Sequence, residues 1–351
     1  MKDKHISVPE DNNLLRLIHR HVAKELVIDD RQRHRKLWVK FLFYLCLSCL
    51  MYIGIYTNES SILFLACFIC YGFSILLFAF NFAHDFSHNT VFKRLYSNNI
   101  GFIAIYALNG AHAEAWKKRH VESHHFAPNV ENYDTDLEIS RLIRVIPNSK
   151  YHWFHRYQHF YAPLAYTTYS LYWVFVKDFV VYFEGFRSSR VTYHLSFWLQ
   201  KFFYVTYLLI LPLMFSFQSW IAVIVAFILM HLLQSLFLLF TFFMTHHVEG
   251  VEYPSTTRDG LIQTSWIMNQ IKCSNDMYPY SRIANFIFGG FNNHIAHHLF
   301  PHIHHLHYPD LNKVLYSTLI RNGINPNQTT YWGGIRSHLR HLKKLSIQPA
   351  I

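Results

Sequence analysis

Charge is scarce in this chain, and negative charge scarcest. Its 351 residues hold 21 Asp and Glu against 32 Lys and Arg, and charged residues of both kinds make up only 15%. Hydrophobic residues reach 52% and aromatics 18%. A prior of roughly 150 residues per domain would suggest two soluble domains, but so apolar a chain argues against a soluble protein. Cysteine is also sparse. Four of the five, Cys46, Cys49, Cys67 and Cys70, form two C-x-x-C pairs inside apolar runs. In a loop such pairs would read as redox or zinc motifs; mid-helix in a membrane they read as small packing residues. No short apolar stretch with a cleavage site follows the basic N-terminus, so a secretory signal is not expected. The net charge of +11 fits orientation in a membrane and attraction to anionic headgroups better than nucleic-acid binding.

Long hydrophobic runs are abundant. About 20 mostly apolar helical residues cross a bilayer core, and four stretches qualify: 38–56, 61–83, 202–217 and 220–245. The third is short and contains Pro212. Two further apolar segments, 99–108 and 160–183, read as interfacial or re-entrant. The first is too short to span, and the second carries Lys177 and Asp178. The spans come as two hairpins whose turns, "TNES" (57–60) and about "SFQS" (216–219), contain no Lys or Arg. The basic residues therefore fall on or near the entrance from the opposite side, which the positive-inside rule makes the cytoplasm. The expected architecture is an all-α, multi-pass integral membrane protein. Four transmembrane helices in two hairpins carry a cytoplasmic helical cap, with both termini cytoplasmic. Residues 1–37 form an N-terminal cytoplasmic segment, 38–345 a single membrane domain, and 346–351 a tail.

Histidine is the unusual surplus, with 26 residues. Three clusters have metal-ligand spacing: "HDFSH" (His84, His88), "HVESHH" (His120, His124, His125) and "HIAHH" (His294, His297, His298). Spacing of i and i+4 puts two imidazoles on one helix face. A fourth contribution comes from "THHVEG", through His246 or His247. A lone H-x-x-x-H is usually surface or capping chemistry; three boxes on one side of a membrane are a joint signal. Imidazole suits iron, zinc, copper or nickel. So many histidines exceed one ion's coordination sphere, and two ions fit. Two irons beside a membrane suggest oxygen activation.

With these motifs the chain resembles the membrane fatty acid desaturase family from about Asn81 to Leu311, and within it the linoleoyl-CoA or front-end branch. "WKKRHVESHHFAPNVENYDTD" (116–136), "HRYQHFYAP" (155–163), "THHVEG" (245–250) and "GGFNNHIAHHLFPHIHHLHYP" (289–309) are similar to that branch's segments. His294 departs from it, since the branch usually has Gln there. No HPGG haem motif is present, so no fused cytochrome b5 domain is expected. The resemblance implies two iron ions held by His84, His88, His120, His124, His125, His246, His294, His297 and His298. Beyond those ligands it implies no further catalytic side chain. Outer-shell candidates are Asp85, Asp134, Asp136, Glu249, His305 and His307. His302 and His304 are expected to be exposed or peripheral, while His112, His152, His155 and His159 have no expected role.

The implied reaction removes two hydrogens from adjacent methylenes of an acyl-CoA or acyl-lipid. It uses O2 and two electrons from a separate donor of ferredoxin or cytochrome b5 type. An unactivated C–H bond offers no acidity to side-chain bases, so the metal must do the chemistry. The nearest rival is a related diiron hydroxylase or ketolase acting on a lipid or carotenoid. A histidine-rich metal transporter is disfavoured, because only His231 lies deep in a span.

Overall fold

The computed structural model describes residues 4–137, 141–185 and 190–347; the side chains of Asp30 and Asp136 also lie outside the description. Almost every described element is helical. The sole sheet among the described residues pairs Asp276–Met277 with Gln328–Thr329 in parallel. Four helices are long and apolar enough to cross a membrane: Arg31–Thr57, Ser61–Ser87, Val191–Phe215 and Trp220–His246. The third begins well before the expected residue 202. Its first turns were hidden from a hydropathy reading because they carry Lys201 and other polar residues. Contacts divide the chain into two compact units.

One unit comprises residues 31–117 and 163–239. Its core interleaves Phe64, Phe68, Tyr71 and Ile75 of the second span with Tyr204, Tyr207 and Leu208 of the third and Val223, Phe227 and Met230 of the fourth. Lipid-facing side chains stay outward, such as Ile62 at 80% and Phe202 at 71% exposure. The first two spans are tied by Ser48 donating to Ser74 (2.9 Å). The two polar turns touch: the Gln218 amide donates to the carbonyls of Asn58 (3.2 Å) and Glu59 (2.7 Å), and accepts from Ser61 (2.7 Å).

Several buried polar groups inside this unit pair with one another, as a low-dielectric interior favours. His231 bonds Ser170 Oγ through Nδ1 (2.7 Å) and Tyr204 Oη through Nε2 (2.8 Å). The Lys201 ammonium is buried against Asp178 (2.7 Å) and donates to the carbonyls of Gly110 and Val174. Asp178 in turn accepts from the His112 backbone N–H (2.7 Å) and Trp173 Nε1 (3.0 Å).

The other unit comprises residues 1–30, 118–162 and 240–351. Its core is built from Leu14, Ile18 and Val22, spaced as one face of the helix Pro9–Glu25. These pack with Ile267, Ile271, Ile295, Leu299, Leu311, Leu315 and Leu319. The charged N-terminal segment thus includes a docked amphipathic helix. Three buried aliphatic side chains stabilise it by about 1.5–3 kcal/mol each at most.

Candidate metal centre

Within the second unit, residues from three distant segments bring seven imidazoles together. The loop 118–125 supplies three. Residues Lys118–His124 form a widened π-turn, closed by His125 N–H donating to the His120 carbonyl (3.1 Å). An i→i+5 turn is broader than an α-turn, so residues i+4 and i+5 straddle the position above residue i. His124 and His125 therefore both share a side with His120. In an ordinary α-helix residue i+5, here His125, would stand about 140° round from residue i.

The helix His294–Leu299 supplies three more, with His294, His297 and His298 spaced i, i+3, i+4. It is anchored by the fully buried Asp276, whose carboxylate accepts from the Ile295 backbone (2.9 Å) and the Tyr316 hydroxyl (2.9 Å). Burial pushes the Asp276 carboxyl up to about 7, against the pull of these donors. Before the helix, Gly290 sits at φ +92°, where a Cβ would lie 2.7 Å from His305 Cβ; a glycine is needed there. His246, at the end of Trp220–His246, is the seventh.

Hydrogen bonds fix which nitrogen each ring offers. His246 Nδ1 faces the Cys273 carbonyl (2.8 Å), which can only accept, so the proton is on Nδ1 and the lone pair on Nε2. His124 Nδ1 faces the Asp134 carboxylate (2.9 Å), with the same result. His298 Nδ1 faces Gln270 Oε1 (2.9 Å), and its buried Nε2 meets no protein partner. His294 brings Nε2 to 2.6 Å from His246 Nε2. One ligand atom from each of His124, His246, His294 and His298 lies within 4.8 Å of the others. Two imidazole nitrogens at a metal–N distance of about 2.1 Å are at most about 4.2 Å apart. Small ring adjustments therefore suffice to seat an ion. Burial, then neighbouring imidazoles such as His125 and His294, holds His298 well below the usual histidine range, which keeps it neutral as a ligand must be. The quartet can hold a metal ion.

The other three rings adjoin this quartet. His125 Nε2 lies 3.2 Å from His120 Nε2. Ring centroids are 4.4 Å apart for His125–His297 and 4.5 Å for His125–His298. His297 Nδ1 points toward the Tyr308 hydroxyl at 3.4 Å. In the membrane-span unit, His84 and His88 are neighbours at 5.1 Å between centroids. They follow another widened turn, Ala79–Ala83.

The outer-shell candidates separate clearly. Asp134 is buried and holds both His124 and the Asn129 backbone N–H (3.0 Å). Burial opposes its ionisation, yet His124, His246 and the Asn129 amide outweigh that and keep the carboxyl below its ordinary range. Asp85 is buried and accepts from the Thr90 hydroxyl (3.3 Å). Glu249 instead pairs with Lys344 (2.8 Å) and Arg340 (3.8 Å) on a half-open surface. The Asp136 side chain lies outside the described residues. His305 is fully buried and its carbonyl accepts from Asn285 (3.0 Å), while His307 is half-buried.

His302 is exposed as expected, but His304 is buried: its Nδ1 accepts from the Leu306 N–H, so it serves as a helix cap. His247 bonds Tyr253 (2.9 Å). His155 is held between the His152 N–H and the Arg141 carbonyl.

Sequence reading missed Gln270, the Cys273 carbonyl and Asn129. The Asn129 amide donates to the carbonyls of His246 (2.9 Å), Glu252 (3.1 Å) and Cys273 (3.4 Å) from a backbone at φ +60°. Asparagine tolerates that left-handed conformation better than most residues. The one sequence signal was the Asn in "HFAPNVENYDTD".

These features accord with the comparisons. The sequence matches the fatty acid desaturase family over residues 59–330, which include all three histidine boxes. It is similar to acyl-lipid (8-3)-desaturase of Physcomitrium patens, 29% identical over 308 residues covering 84% of this chain and 63% of that protein. It is also similar to sn-1 linoleoyl-lipid 6-desaturase of Arthrospira platensis, 30% identical over 289 residues covering 79% of this chain and 77% of that protein. Acyl-lipid (8-3)-desaturase of Mortierella alpina is 30% identical over 294 residues, covering 79% of this chain and 64% of that protein. The chain thus spans under two thirds of the Physcomitrium and Mortierella proteins. A family match over so much of the length, carrying every histidine box, means that the chain belongs to the fatty acid desaturase family.

Proposed function

We propose that this chain introduces a double bond into a fatty acyl chain, using O2 and two electrons at a centre of two irons. One observation carries the reading most: His124, His246 and His298 have their Nδ1 protons committed to Asp134, the Cys273 carbonyl and Gln270, so their Nε2 atoms face inward. The nine ligands are His84, His88, His120, His124, His125, His246, His294, His297 and His298. His84 and His88, one turn apart, supply two of the nine.

Bound iron supplies what no side chain can, namely activation of O2 and cleavage of an unactivated C–H bond. The chain's own residues set the rest. Asp134 and Gln270 orient their imidazoles and fix the tautomers. Neutral rings add no negative charge, so the centre keeps the positive charge density that favours O2. The overall balance takes one acyl chain, O2, two electrons and two protons to one alkene and two waters.

The relatives' names favour an acyl-lipid substrate over an acyl-CoA. The electron donor is a protein of ferredoxin or cytochrome b5 type. The four apolar helices form two hairpins in one domain over 38–345, with the histidines and both termini cytoplasmic. The contact between the two polar turns supports placing them on the opposite side. The test is expression in a host lacking polyunsaturated lipids, with mass-spectrometric location of any new double bond and iron counted per protein. A hydroxylated product without new unsaturation, or iron far from two per chain, would refute the proposal.

A further inference from the structure

The span unit contains an apolar slot of about 320 Å³ that the metal chemistry does not use. This is at the lower end of the range for small-molecule sites. Its walls include Phe41 of the first span, Phe78, Phe82 and Phe86 of the second, and Ile100 and Ala104 of the helix Leu95–Leu108. The phenylalanines form a continuous edge-to-face set, with centroids 5.1 Å apart for Phe41–Phe78 and 5.2 Å for Phe41–Phe82. Phe86 is held by stacking on Phe92 at 5.7 Å. It also packs against Gly101, where a Cβ would come within 2.7 Å of its ring.

Within its own unit the slot faces away from His84. Phe78, Phe82 and Phe86 repeat every four residues and share a helix face. His84 lies two residues before Phe86, about 200° of rotation within the α-helical turn His84–Ser87. Neither His84 nor His88 lines the slot. An acyl chain in this slot therefore lies behind the helix that bears His84, not beside His84 or His88.

Exposed cations flank the lining segments. Arg35 and Lys36 directly precede the lining residues Leu37 and Trp38; Lys93 and Arg94 directly follow Val91 and Phe92. All four basic side chains are exposed. The Arg33 guanidinium joins the two segments by donating to the Thr90 carbonyl (3.3 Å). Neither 31–38 nor 91–108 contains a carboxylate. A slot whose lining is apolar apart from Ser97, flanked in sequence by cations at the end of a membrane span, has the chemistry of a phospholipid site.

We infer that this slot binds one acyl tail of an anionic glycerophospholipid, with its phosphate among Arg35, Lys36, Lys93 and Arg94, as a resident lipid that braces the second span behind His84 and His88. The experiment uses the full chain, purified in detergent and exchanged against equal dioleoyl phosphatidylglycerol and dioleoyl phosphatidylcholine, with retained lipid counted by native mass spectrometry. The wild type should retain one phosphatidylglycerol. Ala104→Trp, which fills the slot, and the triple variant Arg35→Glu/Lys93→Glu/Arg94→Glu should each lower retention at least tenfold. Val225→Trp, on an exposed part of the fourth span, should leave it unchanged. Thermal unfolding and iron content identify any variant that fails to fold, and the other then decides. Equal retention of the two lipids by the wild type would overturn the inference. So would undiminished phosphatidylglycerol in both the slot and charge variants. Loss of desaturation in Ala104→Trp with lipid retention intact would place the reacting chain in the slot, and that also overturns it.

Discussion

Asp134→Asn tests the logic of the metal centre most directly. The wild-type carboxylate accepts from His124 Nδ1 at 2.9 Å and from the Asn129 N–H at 3.0 Å, fully buried. Asparagine keeps the shape but removes the charge, and its amide can present N–H to a ring that must itself donate. Two estimates of the effect compete. Breaking a buried ion pair costs about 3–5 kcal/mol when an uncompensated charge is left behind. Here the imidazole left behind can simply be neutral, so that penalty does not arise. The relevant figure is loss of an outer-shell partner, about 10–100-fold in metal affinity, or about 1.4–2.8 kcal/mol. Iron retained per chain, measured by competition against a graded chelator, should shift by that factor. Glu249→Gln serves as the control, because Glu249 faces Lys344 and Arg340; it should not shift. Wild-type iron affinity in Asp134→Asn, or an equal loss in Glu249→Gln, would refute the reasoning.

Three more outcomes follow from the geometry. His298→Ala and His297→Ala should each abolish turnover and lower bound iron, read by product analysis and metal counting; full turnover in either would remove it from the ligand set. Lys201→Met leaves the Asp178 carboxylate buried without its cation, and should destabilise the fold by about 3–5 kcal/mol, visible as lost folded yield in detergent. The double variant Lys201→Met/Asp178→Asn should recover part of it. Burial drives the Cys273 thiol far above its usual range, so it should resist maleimide until the protein unfolds, as mass spectrometry of labelled peptides can establish.

The metal centre was more legible in the sequence than the interior that supports it. Spacings of i, i+3 and i+4 already place His294, His297 and His298 on one face, because helix geometry is local. His124 and His125 needed the widened turn at Lys118–His124, which no residue type announces. Gln270 and the Cys273 carbonyl escaped notice because their roles depend on segments meeting across the fold, and a carbonyl is carried by every residue. Lys201 misled in a specific way. It looks like a reason to start the hydrophobic segment after it, and only its 2.7 Å pairing with Asp178 reveals that Val191–Phe215 can continue through the charge. His304 was expected to be peripheral because it has no counterpart in the family's pattern; its burial follows from capping the turn that begins at His305.

The contact between Gln218 and the carbonyls of Asn58 and Glu59 has a consequence for how the chain enters its membrane. Two loops that share hydrogen bonds must emerge into the same aqueous compartment. A glycan acceptor or a protease site engineered into either loop should therefore be modified from one face only, and the same face for both. An insertion intermediate with just the first pair of helices in place would leave those two carbonyls waiting on water until the second pair arrives.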